Sequence, residues 1–155
     1  MTRTTHSERH IKAPRELVYR LLTDPDAVQK WKVPEGMSSH IHEFDAREGG
    51  AFRVSLTYNS PESAGKTSEH TDTYHGRFVA LIPSECVVEI MEFETGDPTM
   101  RGEMTITYTL SASGSGTDLL AVHEGLPPGV ALADNELGWR MSMDKLAALA
   151  ESSQP

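Results

Sequence analysis

The chain of 155 residues contains a single cysteine, Cys86, so no disulfide can form within it. It also lacks a run of about 20 apolar residues of the kind that crosses a membrane. The longest helical pattern, near the C-terminus, is interrupted by Arg140, Asp144 and Lys145. The first ten residues have no apolar stretch typical of a signal peptide. These absences predict a cytoplasmic protein that does not span a membrane.

Basic residues are scarce relative to acidic ones, with 14 Lys and Arg against 23 Asp and Glu. Residues 1–60 carry a net charge of +1, whereas residues 61–155 carry −10. An acidic surface repels phosphate backbones and anionic lipid head groups. The charge pattern therefore predicts neither a nucleic-acid partner nor electrostatic docking on a membrane.

Motifs for phosphate, dinucleotide or acyl-transfer chemistry are missing. The sequence has no Walker-type loop and no Gly-x-Ser-x-Gly elbow, and its Gly114-Ser-Gly116 turn is not followed by a helix. Cys86 is most simply interpreted as a small buried apolar residue in a strand rather than a nucleophile. No cofactor and no catalytic motif is predicted.

Histidines offer one weak metal pattern. His40 and His42 are two apart in a predicted strand and would share a face, so a third ligand such as His75 or His123 could complete a site. The pair alone is weak, and the residues after His123-Glu124 exclude the second histidine of a zinc helix motif. No metal site is predicted.

Periodicity predicts one strand, two short helices, six further strands and a long helix. Strands are predicted at residues 4–12, 38–47, 51–58, 71–82, 86–94, 103–111 and 118–124, with His40, His42 and Phe44 on one face of the second. Asp24 and Pro25 are expected to begin the second helix, which ends at Trp31. Residues 59–69 are predicted to form an exposed loop, and residues 113–117 a turn. The C-terminal helix covers about residues 130–151.

The C-terminal helix has an apolar stripe at helical spacing. Its members are Leu132, Trp139, Met143, Leu146 and Ala150. The strand at 103–111 alternates cleanly and places Met104, Ile106 and Tyr108 on one face, which is the natural partner of that stripe. The pattern predicts an α+β fold in one domain over residues 1–155, with a core of about 5–151.

Several segments resemble the START/birch-pollen-allergen (SRPBCC) superfamily. Residues 9–31 are similar to its opening, and residues 44–50, 75–83, 116–119, 123–126 and 138–146 resemble the branch related to the activator of the ninety-kilodalton heat-shock chaperone's ATPase. The resemblance implies a helix-grip fold, in which a curved seven-stranded antiparallel sheet wraps a long C-terminal helix and leaves a cavity. The superfamily includes lipid carriers, hormone receptors, polyketide cyclases and chaperone activators, so the fold does not decide the chemistry.

Binding or carriage of a small apolar or amphipathic molecule between helix and sheet is the leading hypothesis. The predicted ligand-binding residues are mostly apolar and lie on the helix stripe and the facing strands: Trp139, Met143, Tyr108, Met104, Ile106, Phe52, Val54, Met91, His42 and Tyr74. One alternative is a cyclase- or hydrolase-like enzyme that moves protons through Tyr108, His42 or Glu124. Another is a protein that acts on a chaperone, although the additional N-terminal domain of the eukaryotic activator has no counterpart here. Homodimerisation through a sheet edge is possible.

Overall fold

The computed structural model describes residues 3–59 and 71–153. Its strands are β1 (Thr4–Ile11), β2 (Met37–Phe44), β3 (Ala51–Tyr58), β4 (Thr71–Ile82), β5 (Cys86–Phe93), β6 (Met104–Ser113) and β7 (Gly116–Glu124). Its α-helices are α1 (Arg15–Thr23), α2 (Pro25–Trp31) and α3 (Leu132–Ser152), and a short 3-10 turn lies at Pro98–Met100. The predicted α+β class is confirmed. The predicted loop at 59–69 lies outside the described residues except for Asn59.

The described strands form one antiparallel sheet with the order β1-β7-β6-β5-β4-β3-β2. Strands β2 to β6 each pair with the next strand along the chain, while β1 pairs with β7, so β1 and β2 lie at the two edges. Helix α3 packs against β1 and also contacts α1 and α2. This is the predicted helix-grip arrangement. None of the helices within the described residues is long and apolar enough to span a membrane.

Helix α2 begins and ends as the sequence predicts. The Asp24 carboxylate accepts a hydrogen bond from the Asp26 backbone N–H at 3.0 Å, and Pro25 occupies the first helical position. At its C-terminal end the buried Trp31 indole N–H donates to the Leu21 carbonyl at 2.8 Å. These contacts hold the following residue, Lys32, at a defined position beside the sheet.

The turn between β6 and β7 is tighter than the predicted turn at 113–117. Ser113 pairs directly with Gly116, so only Gly114 and Ser115 connect the strands. Gly114 has φ 61, and a glycine with positive φ at the first of two turn positions is typical of type II′ hairpins. Both strands are consequently longer than predicted.

Strand β2 contains a β-bulge that the sequence pattern does not reveal. The register with β3 shifts between Ile41 and Glu43, so the faces of the strand exchange at His42. His40 and His42 are exposed, whereas Phe44 turns inward and packs edge to face on Phe78 with centroids 5.3 Å apart. The prediction that Phe44 shares a face with the two histidines is therefore wrong.

The core lies between the inner face of the sheet and α3. On β6 the alternating residues Met104, Ile106 and Tyr108 are all at most 1% exposed. Tyr108 contacts Trp31 and Trp139 edge to face, with ring centroids 6.3 and 5.8 Å apart. Such aromatic contacts add to the free energy gained by burying apolar surface, and they pack both α2 and α3 against β6.

The neighbours of Gly76 in β4 leave no room for a side chain. A Cβ at this position would lie 2.0 Å from the Ile90 carbonyl oxygen and 2.8 Å from Cζ of Phe52. We expect Gly76→Ala to destabilise the fold by about 1–3 kcal/mol, because overpacking displaces backbone and side chains. Chemical denaturation checks this, with Gly96→Ala as the control because its Cβ would have nothing within 4 Å. Equal stability of the two variants would contradict the packing at Gly76.

Candidate functional site

A cavity of about 530 Å³ lies between the first half of α3 and the inner face of the sheet. Its walls come from the segment between α2 and β2, from strands β2 to β7 and from the residues just before α3. Apolar side chains form most of the lining: Pro34, Met37, Leu56, Met91, Phe93, Met100, Ile106, Val130, Ala131, Leu137, Trp139 and Met141. The volume is within the roughly 300–1,000 Å³ found for small-molecule sites.

The rim and the inner end of the cavity differ in exposure. Glu35 and Asp134 are exposed, and Leu137 is 44% exposed, so these residues form the rim. Tyr74 is 3% exposed and His123 is 5% exposed, so they lie at the inner end. The opening therefore carries exposed acidic side chains, while the enclosed polar groups, which include the 1% exposed Asp72, lie deeper.

A buried ion pair joins Lys32 to Glu89 at the inner end. Lys32 Nζ donates to Glu89 Oε1 at 2.6 Å, and the two side chains are 15% and 5% exposed. Glu89 is on the inner face of β5, where it alternates with Val87 and Met91. Desolvation lowers the pKa of Lys32, but attraction by the Glu89 carboxylate outweighs it and raises that pKa well above its ordinary value. Lys32 is therefore a charged hydrogen-bond donor and cannot act as a neutral amine nucleophile.

Two tyrosines enclose this ammonium group. Lys32 Nζ lies 5.8 Å from the ring centroid of Tyr74 and 5.7 Å from that of Tyr108, within cation–π range. Burial raises the pKa of both phenols, although the charge of Lys32 opposes the shift. Both hydroxyls therefore stay protonated and can donate hydrogen bonds. A second void of about 10 Å³ adjoins Lys32, Tyr74, Glu89 and Tyr108, about the size needed for one water molecule.

His123 is held as a neutral ring by its neighbours. The Trp139 indole N–H donates to His123 Nδ1 at 3.1 Å, so this nitrogen must carry a lone pair. The ring proton is then on Nε2, which lies 3.1 Å from the Met104 sulfur. Burial, with a smaller contribution from Lys32, lowers the pKa of His123 to about 4. Asn135 lies beside the same ring at 3.4 Å and accepts a hydrogen bond from the Thr5 hydroxyl at 2.5 Å.

Comparison with known families identifies the chain. The model of the family described as "Activator of Hsp90 ATPase homolog 1-like protein" matches residues 12–151. The chain belongs to this family. The resemblance found in the sequence is thereby confirmed, and the family fold is one that commonly binds hydrophobic ligands.

Solved structures of similar proteins support the same fold for this chain. A protein from Chromobacterium violaceum is 34% identical, with a TM-score of 0.84 over 96% of this chain and 98% of its own. Proteins from Mesorhizobium loti and Arthrobacter aurescens are 21% and 13% identical, with TM-scores of 0.73 and 0.80. The match to the Mesorhizobium loti protein covers 99% of this chain and 100% of that protein. The match to the Arthrobacter aurescens protein covers 96% of this chain and 86% of that protein. None of the curated proteins matches.

The structure places nine of the ten sequence-predicted residues in three groups. Four of them line the main cavity: Tyr74, Met91, Ile106 and Trp139. Phe52, Val54 and Tyr108 adjoin the small void, with Tyr74 shared between the two. Met104 and Met143 are at most 1% exposed and line neither space, so they pack in the core of this family member.

His42 is not brought to the cavity. It lies on the outer face with His40, where Nε2 is 2.8 Å from the Ser55 hydroxyl and its ring contacts that of His40 edge to face. Glu124 is also exposed. A proton-transfer group of Tyr108, His42 and Glu124 is therefore not assembled, because Tyr108 is 1% exposed on the inner face.

Lys32 and Glu89 are the polar residues that the sequence analysis missed. One signal for Glu89 was available, because period-two alternation in β5 places it on the same face as the apolar Val87 and Met91. Lys32 had no comparable signal, since it follows a short helix and its partner lies 57 residues away in the chain. Asn135 was also missed for this reason, because its contacts to His123 and Thr5 are long-range.

Proposed function

We propose that the protein binds a small apolar or amphipathic molecule in the cavity between α3 and the sheet, as a carrier or receptor module. The observation that supports this most is the cavity itself, with a volume of about 530 Å³ and a mainly apolar lining. A few enclosed polar groups at its inner end, Lys32, Tyr74 and His123, are what a small-molecule site uses to orient its occupant.

Gly138 provides a way to close the cavity without touching the polar groups. It lies in α3 on the cavity wall, and a Cβ there would meet only Pro34 Cγ, at 4.0 Å. We expect Gly138→Phe to fill the space and weaken binding of the neutral probe N-phenyl-1-naphthylamine at least tenfold. A fluorescence titration of the purified protein measures the affinity, and the parent should bind one equivalent.

Gly138→Ala is the matched control. Alanine favours a helix over glycine by up to about 1 kcal/mol and leaves most of the cavity open. This variant should therefore keep the affinity of the parent for the probe and unfold at a slightly higher temperature. A folded Gly138→Phe variant that binds the probe as tightly as the parent would contradict the proposed site.

A further inference from the structure

We infer that the cavity selects an amphipathic molecule with an uncharged, hydrogen-bond-accepting head group, such as the carbonyl of a ketone, ester or amide, placed against Lys32 and Tyr74. The inference rests on the proposed function and adds the chemistry of the head group. Its basis is the enclosed Lys32–Glu89 ion pair at the inner end of an otherwise mainly apolar space.

The hydrogen-bond donors at the inner end favour a ligand that carries a hydrogen-bond acceptor. The Lys32 ammonium has three N–H groups. One donates to Glu89 and a second is used by the hydrogen bond with the Tyr108 hydroxyl, which leaves one for a ligand. Lys32 and Tyr74 both line the main cavity. A pure hydrocarbon that covers them would remove their N–H and O–H groups from water without replacing the hydrogen bonds, which is unfavourable. A carbonyl oxygen accepts such bonds and leaves the rest of the molecule against the apolar walls.

An anionic head group fits this end poorly. The positive charge of Lys32 is already matched by the Glu89 carboxylate at 2.6 Å, so a second carboxylate would gain little attraction and would lie close to Glu89. The rim adds the carboxylates of Glu35 and Asp134. Moving an ion out of water into this space is therefore not compensated.

A cationic head group is disfavoured at the inner end for the opposite reason. It would approach the Lys32 ammonium, which is the basic side chain among the described lining residues. The neighbouring tyrosines already face that ammonium at 5.7 and 5.8 Å. The carboxylate of Asp72, which is 1% exposed, also lines the cavity and has an interaction of its own. Since the Lys32–Glu89 pair has no net charge, its end of the cavity discriminates by hydrogen bonding rather than by charge.

Three ten-carbon competitors test the head group directly. They are 2-decanone, decanoate and decylammonium, each used to displace N-phenyl-1-naphthylamine from the parent protein at pH 7.5. The ketone should bind at least tenfold more tightly than either ion. Tighter binding of decanoate or of decylammonium would overturn the inference while leaving the proposed cavity site intact.

A double variant tests the named residues. Lys32→Met with Glu89→Leu removes both charges together and is expected to lower the ratio of ketone affinity to probe affinity at least fivefold. Arg53→Met with Glu94→Leu is the matched control, because it makes the same exchanges in an ion pair on the exposed outer face, and it should leave that ratio unchanged. An unchanged ratio in the cavity variant would overturn the inference. If the parent does not bind the probe at all, the proposed function and the inference both fall.

Discussion

The single substitution Lys32→Met is expected to destabilise the fold by about 3–5 kcal/mol, because it leaves the Glu89 carboxylate buried without its partner. The Glu89 side chain is only 5% exposed and its ion pair with Lys32 is 2.6 Å long. Water therefore cannot easily replace the lost ammonium. Chemical denaturation at pH 7.5 measures the difference in the free energy of unfolding.

The double variant Lys32→Met with Glu89→Leu should recover most of that loss. Replacement of a whole buried ion pair by apolar residues of similar volume is often neutral or stabilising, by about 1–4 kcal/mol. The pair is therefore expected to contribute selectivity rather than net stability. A loss below about 1 kcal/mol for Lys32→Met, the range of an exposed ion pair, would contradict its burial. A double variant as unstable as the single one would contradict the explanation by an unpaired charge.

Acidification from pH 7 to pH 4 is expected to remove about 3 kcal/mol of stability through His123 alone. This is most of the roughly 3.5 kcal/mol that a pKa lowered from 6.5 to about 4 represents at about 1.4 kcal/mol per pKa unit. The folded-state pKa of His123 is lowered to about 4, whereas its ordinary value is 6.5. Between these values the unfolded chain binds a proton that the folded chain does not. The contribution is therefore complete above pH 6.5, falls as the pH decreases and is lost near pH 4.

Burial is the main cause of this low pKa, and protonation would also cost the hydrogen bond from Trp139 to His123. A proton on Nδ1 would face the indole N–H at 3.1 Å, so protonation must break this contact. Denaturation curves at a series of pH values measure how steeply the free energy of unfolding falls with pH. His123→Gln should reduce this pH dependence, whereas a substitution of the exposed His6, His6→Gln, should not. The Glu94 carboxyl does not interfere, because its pKa is lowered to about 2, mainly by its hydrogen bond from Arg53, and its own loss begins below about pH 4.5. A stability that stays constant from pH 7 to pH 4.5 would contradict the neutral buried ring.

Most of the fold follows from local patterns in the sequence. Alternation over β6 correctly places Met104, Ile106 and Tyr108 on the buried face, and the capping pair Asp24 and Pro25 correctly marks the start of α2. Such signals involve neighbouring residues and so survive in the final structure. The helix-grip arrangement then needed the family resemblance, because alternation alone does not define how a sheet curves.

The site was less accessible to sequence reasoning, for two physical reasons. The bulge in β2 exchanges the faces of the strand after His42, so His42 stays on the exposed face of His40 while Phe44 turns inward. The ion pair of Lys32 and Glu89 forms between a loop and a strand that are distant in the chain, so no local pattern predicts it. Both features depend on tertiary packing.

The central claim is that a small molecule occupies the cavity between α3 and the sheet, and methionine methyl groups report on it directly. Met37, Met91, Met100 and Met141 line the cavity, whereas Met104 and Met143 are buried outside it. Adding N-phenyl-1-naphthylamine to protein labelled with [methyl-13C]methionine should shift the NMR signals of the four lining methyls much more than those of the two core methyls, since aromatic ring currents act over a short distance. Shifts confined to other methionines, or no shifts at saturating probe, would contradict the account.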